Sequence, residues 1–341
     1  MGKKVYIDLH PLAAEKSILK MAISDRSDGK TTEAQTLAVE SFDASGKAAV
    51  FSRRFGTEFT ERFFEEFDQN LHVHPHVLAG RDYDFIKPSK KRLGALLIQP
   101  RDSDVKRQAI TFVPLSMAGR LKSALGYNTH RNIYIDEYIP LDGRYLKDEV
   151  DAILELYKTI DRNHFDNYIM VCGNKITRFN PVFQYFNINT WKKGLNSYQN
   201  GALSLLVYSN KGNTQACKKS AFGDLVRGTK YEAYNAGEFL RNYAELIKQG
   251  HSRICLLYIA HRGKVYGVYQ SESDVVIDVA RRDGMAAACV CVEPQPPEMR
   301  AVWLSSAPNA LHLLQAYKYA NRLYFANEII MNDLSKVYAA V

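Results

Sequence analysis

The chain has 341 residues, more than one hydrophobic core usually organises, so two domains are expected. Its 45 Lys and Arg against 37 Asp and Glu give a formal charge of +8 and a pI near 9.0, a balance compatible with a polyanionic partner. The absence of a run of about 18 apolar residues or of a charged-then-apolar leader argues against a membrane span and a signal peptide, and the five cysteines (Cys172, Cys217, Cys255, Cys289, Cys291), with no C-x-x-C pair, argue for reduced thiols in a cytosolic chain and against a zinc site.

Tyr6 to Lys16 is, by position, a candidate lid over an adenine ring, with Tyr6 or Pro11 as packing surface. The apolar run Ile18 to Ile23 reads as a strand, and Thr32 to Val39 has helical composition. Between them lies Ser24-Asp25-Arg26-Ser27-Asp28-Gly29-Lys30-Thr31. Strand, loop and helix in this order are what a P-loop needs, because backbone N–H groups and a helix N-terminus must face the phosphates. In that reading Lys30 neutralises the β- and γ-phosphates and the Thr31 hydroxyl completes a Mg²⁺ shell. Ser24 stands where the pattern G-x-x-x-x-G-K-[ST] begins with Gly, at a turn expected to need positive φ. Asp25 and Asp28 are expected to put negative charge where phosphates would sit, with Arg26 as an offset. The same residues also describe a surface turn.

Ala48 to Ser52 is a second short strand and ends in Arg53-Arg54. Phe59, Phe63, Phe64 and Phe67 recur at helical spacing and read as a core face. His72, His74 and His76 alternate with Val73 and Pro75; the spacing suits a metal, but no Cys or carboxylate set accompanies it, and Pro75 favours an exposed loop. Strands at Tyr83 to Ile86 and Leu93 to Gln99 are threaded with Lys87, Lys90, Lys91, Arg92, Arg101, Lys106 and Arg107, either a solvated face or a phosphate-backbone track. Ile110 to Leu115 is a further strand, and Arg120-Leu121-Lys122-Ser123 leads toward Ile133-Tyr134-Ile135-Asp136-Glu137. A β-branched and aromatic run ending in two acids reads as a buried strand that carries carboxylates to a sheet edge. That is the shape of a Walker B motif, with Asp136 holding the Mg²⁺ shell and Glu137 orienting and polarising the attacking water. Alone it also fits two solvated acids after a strand.

Val150, Ile153, Leu154 and Tyr157 mark the buried stripe of an amphipathic helix that begins near Lys147-Asp148-Glu149 and stops around Asp161-Arg162-Asn163. Asp166 to Cys172 is another strand, and Asn174, after Gly173, is either a group sensing the γ-phosphate or a turn residue. Asn180-Pro181 and the aromatics Phe183, Tyr185 and Phe186 close a first domain. Gln199 to Thr229, rich in Gly, Asn, Ser and Lys, is expected to be a linker. Arg253 to Ala260, Lys264 to Gln270 and Asp274 to Val279 read as a three-stranded antiparallel meander. Ala310 to Ala340 reads as helical, with Leu311, Leu314, Tyr317 and Leu323 among its apolar positions.

Several of these stretches, in order, resemble the ring-forming DNA-packaging ATPases of small tailed bacteriophages with protein-primed linear genomes. They are Ser24 to Thr31, Val50 to Phe55 with Arg53-Arg54, Ile133 to Tyr138, Glu149 to Asn163, Gly173-Asn174 with Asn180 to Asn187, and Phe222 to Thr229. The resemblance covers most of the chain. It implies an α/β fold, with an N-terminal P-loop domain of the additional-strand, catalytic-glutamate (ASCE, RecA-like) type over 1–198. A linker or lid region would follow over 199–248, and a smaller α+β domain of vestigial, nuclease-inactive RNase H-like type, facing DNA or portal, over 249–341. By the same resemblance Ser24 to Thr31, Asp136 and Asn174 bind ATP, Thr31 and Asp136 bind Mg²⁺, and Glu137, Lys30 and Arg162 are catalytic. Arg162 would act in trans as an arginine finger. Lys122 sits near a second basic position used between subunits, and Ser24 departs from the family's Gly. Lys264, Arg281 and Arg282 are candidate phosphate contacts. The implied function is ATP-driven translocation of viral double-stranded DNA into a procapsid by a homopentameric ring docked on the portal. A packaging RNA is left open as a partner, the location is the host cytoplasm, and no membrane is involved. Two alternatives remain: a nucleic-acid-binding scaffold with an inactive P-loop, motivated by Ser24, Asp25 and Asp28, and a nuclease. Against the latter, Ile254 to Ile259 carries no carboxylate, which leaves Asp274 and Asp278 without the clustered acids that two-metal cleavage needs.

Overall fold

The computed structural model describes residues 6–341 apart from 90–91, 122, 142–143, 147, 178–179, 189–190, 211–218, 230, 233–245, 249–253 and 281–288. A short helix α1 (His10–Ala13) precedes β1 (Leu19–Ser24), and α2 (Lys30–Ser45) follows the Gly-Lys-Thr segment. Next come β2 (Ala48–Arg53), α3 (Glu61–Leu71), α4 (Pro75–Leu78), β3 (Tyr83–Ile86), β4 (Gly94–Ile98) and β5 (Arg107–Pro114). Then follow β6 (His130–Asp136), α5 (Glu149–Asp161), β7 (Ile169–Asn174), α6 (Pro181–Tyr185), β8 (Gly194–Tyr198) and β9 (Leu203–Val207).

These strands form one nine-stranded sheet in the order β3-β4-β5-β2-β6-β7-β1-β9-β8. The stretch from β5 to β9 is parallel, and the two edges are antiparallel hairpins. A parallel sheet covered on both faces must be apolar on both, and alternate residues do face opposite layers. Met21, Ile23, Val50, Ile133, Ile135, Ile169 and Val171 pack into the α5 side. Ala22, Ala49, Phe51, Tyr134, Met170 and Cys172 pack into the α2 and α3 side. The phenylalanine stripe is core, with Phe67 and Phe112 meeting edge-on at 5.2 Å. Lys20 is buried on β1, where its ammonium donates to the Ala13 carbonyl at 2.7 Å and so pins the end of α1. That burial lowers its pKa to about 8.

The strand β7 lies between β1, which feeds the glycine-lysine loop, and β6, which carries Asp136. This inserted strand is the defining feature of the additional-strand type of P-loop domain, and the α/β reading of the sequence holds.

The chain divides into two compact units, Met1–Leu240 and Arg241–Val341. The expected boundary at 198 and linker from 199 cut through the β8–β9 hairpin, because Leu203–Val207 pairs in parallel with β1 and is a full member of the sheet. Its apolar character is masked in the sequence by the Gly- and Asn-rich residues around it.

The second unit holds a six-stranded sheet built on β10 (Cys255–His261), β11 (Lys264–Ser271) and β12 (Asp274–Val279), an antiparallel meander as its turns predict. Strands β13 (Cys289–Cys291) and β14 (Val302–Trp303) add in parallel beside β10. The C-terminal stretch read as helical is interrupted. A helix spans Pro308–Tyr319, then β15 (Leu323–Phe325) joins the far edge beside β12, and helices Glu328–Asp333 and Ser335–Ala340 follow. Leu323 is therefore a strand residue, since three residues are too few to break a helical pattern visibly. Arg281 and Arg282 lie outside the described residues, as do Lys90 and Lys91. No helix among the described residues is long and apolar enough to cross a membrane.

Candidate nucleotide site

The loop after β1 turns into α2 through Gly29, the helix N-cap, at φ 87°. A Cβ there would lie 2.0 Å from Cδ1 of Tyr6, so Gly29 is required both by its left-handed backbone and by the ring packed on it. Tyr6 thus covers the loop from the side. The N-terminus of a 16-residue helix, with its unpaired N–H groups, points at the space in front.

A cavity of about 350 Å³ opens there, lined by Arg26, Ser27, Gly29, Lys30 and Thr31 from the loop, Arg53 from β2, Asp136 and Glu137 from the end of β6, and Gly173 and Asn174 from β7. Lys30 is buried, and its Nζ donates to the Ser24 hydroxyl and the Asp25 carbonyl, both at 2.8 Å. Burial lowers its pKa, an effect partly opposed by the nearby acids. The Thr31 hydroxyl donates to Asp136 at 2.9 Å and so joins the loop to the strand that lies beyond β7. Arg53 forks across both acids, with Nη2 at 2.8 Å from Asp136 and Nη1 at 2.5 Å from Glu137. Glu137 adopts φ 58°, a left-handed backbone that aims its partly exposed carboxylate back toward Arg53. Gly173 is fixed by packing, since a Cβ would come within 2.6 Å of the Tyr138 ring.

Ser24, Asp25 and Asp28 do not line the cavity. The Asp28 carboxylate turns under the loop and accepts from the Asp25 N–H at 3.2 Å. Asp25 points away toward Lys175, at 3.0 Å. The expectation that both acids occupy phosphate space is thereby corrected, because each has a local cation or amide to turn to. Ser24 is not among the positive-φ residues, whereas Ser27 is, at φ 68°.

Arg162 caps α5 in a left-handed conformation at φ 48° and is exposed. It precedes β7, whose other end carries Asn174 into the cavity. A strand of this length spans roughly 20 Å, so Arg162 sits at the opposite end of the sheet from the Gly29-Lys30-Thr31 loop. Lys122 lies outside the described residues. The three histidines take separate partners: His72 lies at 3.1 Å from Tyr83, His74 at 2.6 Å from Glu33 and His76 at 3.2 Å from Glu40.

Two site features had no role in the sequence reading. Arg53 was visible as half of an Arg-Arg pair, and its position at the end of the strand beside β6 was the available signal. Lys175 follows Asn174 and gave none.

The family model for the Podovirus DNA encapsidation protein (Gp16) matches residues 1–283. The chain belongs to this family. Relatives of this chain include the DNA packaging protein of Bacillus phage B103, 24% identical over 267 residues that span 76% of each chain. The DNA packaging protein of Bacillus phage phi29 is 25% identical over 239 residues, 68% of this chain and 64% of the relative. Among solved structures, one described as the bacteriophage Phi-29 viral genome packaging motor assembly matches 98% of this chain and 99% of its own, at 19% identity and a TM-score of 0.65. Another, described as the Phi-28 gp11 DNA packaging motor, matches 99% and 98% at 17% identity and a TM-score of 0.64. The chain thus shares its fold with these two solved structures.

Proposed function

We propose that this protein is an ATP-hydrolysing motor that moves viral double-stranded DNA into a procapsid, as a homo-ring whose neighbouring subunits complete each other's sites. The observation that carries the reading is the meeting of Lys30, Thr31, Asp136 and Glu137 around one cavity, delivered by two strands with β7 between them. Family membership supports DNA as the cargo.

Loop amides and the N-terminus of α2 receive the polyphosphate. The Lys30 ammonium, held here only by neutral oxygens of Ser24 and Asp25 in a buried place, gains a better partner in a phosphate oxygen. Thr31 and Asp136 present adjacent hard oxygen donors, a fit for Mg²⁺, which when bound neutralises charge on the β- and γ-phosphates. Glu137 is the carboxylate that orients and polarises the attacking water, but it is engaged by Arg53. A γ-phosphate beside Arg53 competes for the guanidinium and frees Glu137, so that nucleotide binding itself arms the base. Asn174 contacts the γ-phosphate from β7. Arg162, remote from its own site, serves the neighbour's and stabilises charge developing on the transferred phosphoryl group. Contacts to the DNA backbone suit a motor that must ignore sequence. A pentameric ring, docking on the portal, a packaging RNA at that junction and action in the host cytoplasm are parts of the same proposal, and rest on the resemblance.

The test is steady-state ATP hydrolysis by wild type, Lys30→Ala, Glu137→Gln and Arg162→Ala, with and without duplex DNA. Each variant is expected to lose about a hundredfold or more. Mixing Arg162→Ala with Glu137→Gln is expected to restore turnover, because one subunit supplies the glutamate and the other the arginine. Wild type without turnover in all conditions, or no recovery on mixing, counts against the reading.

A further inference from the structure

The phosphate loop of this chain contains a buried acid, Asp25, immediately before Arg26 and five residues before Lys30. Left uncompensated, a carboxylate there would repel a polyphosphate. Its partner is Lys175, the residue after Asn174. The Lys175 side chain is 3% exposed and that of Asp25 12% exposed, and their Nζ–Oδ1 distance is 3.0 Å. Lys175 holds the loop twice, because its backbone N–H also donates to the Ser24 carbonyl at 3.2 Å. Its ammonium also donates to the hydroxyl of Ser209, just past β9. Strand β9 is itself tied to β1 there, through Tyr208 N–H to the Ile23 carbonyl at 2.8 Å. One lysine therefore joins the ends of the three neighbouring strands β7, β1 and β9 at the level of the nucleotide.

We propose that Lys175 is a positioning residue of the nucleotide site: it cancels the charge of Asp25 and clamps the phosphate loop to Asn174, so that loop and phosphate-facing side chain keep one geometry. The inference rests on the nucleotide-binding reading above. Lys175 does not line the cavity, so it acts through Asp25 and the loop and not on the nucleotide directly. A buried ion pair behaves asymmetrically: removal of one partner leaves a bare charge, while removal of both leaves none. Here the charge left by losing the lysine is negative and sits in the loop that borders the cavity; burial already raises the Asp25 pKa and Lys175 is what opposes that, so the loop keeps its geometry only while the pair is intact. The pair therefore predicts the sign of each variant's effect.

The experiment is calorimetric binding of ADP and of a non-hydrolysable ATP analogue, each with Mg²⁺, to the full chain. Wild type is compared with Lys175→Ala, Asp25→Ala, the double variant and Lys175→Arg, with thermal denaturation run alongside. Lys175→Ala is expected to weaken binding by about tenfold or more, the scale of one unit charge near a polyphosphate at the effective dielectric of a protein site. The double variant and Lys175→Arg are expected within about threefold of wild type, by the same charge balance. A merely structural lysine would leave the double variant as weak as Lys175→Ala, and that result overturns the proposal, as does a Lys175→Ala that binds like wild type. If Lys175→Ala does not fold, Asp25→Asn decides: it leaves the ammonium unbalanced and is expected to tighten binding, and weaker or unchanged affinity overturns the proposal. Wild type that binds neither nucleotide overturns the underlying site reading instead, so the two failures are distinguishable.

Discussion

A left-handed backbone costs a residue with a Cβ about 1 kcal/mol or more, and in the loop between β1 and α2 that cost falls on Ser27, at φ 68°. Ser27→Gly should therefore raise stability by about 1 kcal/mol, while Ser24→Gly should not, since Ser24 is outside that region and its hydroxyl holds Lys30. Chemical denaturation of both variants checks this; a gain confined to Ser24→Gly would show that the strain is misassigned. The sequence pointed to Ser24 because the motif pattern starts there, and a pattern of residue types carries no dihedral. That Lys30, Thr31, Asp136 and Glu137 meet around one cavity was legible because loop before helix and acids after strand are features of local order. Arg53 and Lys175 were not, because what makes each of them matter is a partner brought near only by the sheet. Arg53→Lys keeps the charge but loses the two-pronged grip on Asp136 and Glu137. It should lower kcat by about tenfold or more with little change in KM; steady-state kinetics with unchanged kcat would remove Arg53 from the mechanism.

Helix α5 begins at Glu149, and its first residue is bound by Arg54 at 2.6 Å through Nε and 2.8 Å through Nη2, with a further bond from Nη2 to the Tyr138 carbonyl at 2.9 Å. Arg54 and Glu149 are both buried, and this pair moors the helix to the end of β2, directly behind the residue that grips Glu137. Arg54→Ala leaves a buried carboxylate alone and should destabilise the chain by about 3 kcal/mol or more, whereas Arg54→Met with Glu149→Leu should restore most of that loss. If denaturation midpoints of the single and double variants coincide, the pair is not the mooring. At this scale the sequence was readable wherever an element was long and periodic. The phenylalanines of α3 and the meander of the second unit declared themselves, and so did helix α5, although its buried line runs through Val150, Ile153, Leu156 and Ile160 and leaves the expected Leu154 and Tyr157 half-buried. Strands β9 and β15 did not. Leu203–Val207 sits in polar, glycine-rich surroundings, and Leu323–Phe325 is three residues long, so neither carries a period of its own. Their pairing is imposed by β1 and β12, partners distant in sequence.

For the molecule as a whole, the fold class was implied by the family that the motifs resemble, and the two-unit division by length. The place of division was not, because contacts decide it. The same dependence on the assembled sheet governs how stability responds to pH. His130 opens β6 inside the first unit, with Nε2 at 2.9 Å from the Thr111 hydroxyl and Nδ1 at 2.8 Å from that of Thr129. Burial lowers its pKa to about 4, against a backbone hydrogen bond at Gly126 that raises it. An unfolded histidine titrates near 6.5. Above that value neither state is protonated at this residue and its full contribution to stability is present. As pH falls below it the unfolded chain gains a proton that the folded chain refuses, and stability declines until the folded state titrates near 4. The total change is about 3 kcal/mol. Other groups titrate in the same window, so the measurement is a difference. Denaturant unfolding of wild type and His130→Asn between pH 4 and 7 should give a gap that favours wild type most at pH 7 and closes on acidification. A gap constant with pH would mean that the ring is already exchanging protons with solvent, and that the Thr111–His130–Thr129 cluster is open rather than sealed beneath the sheet.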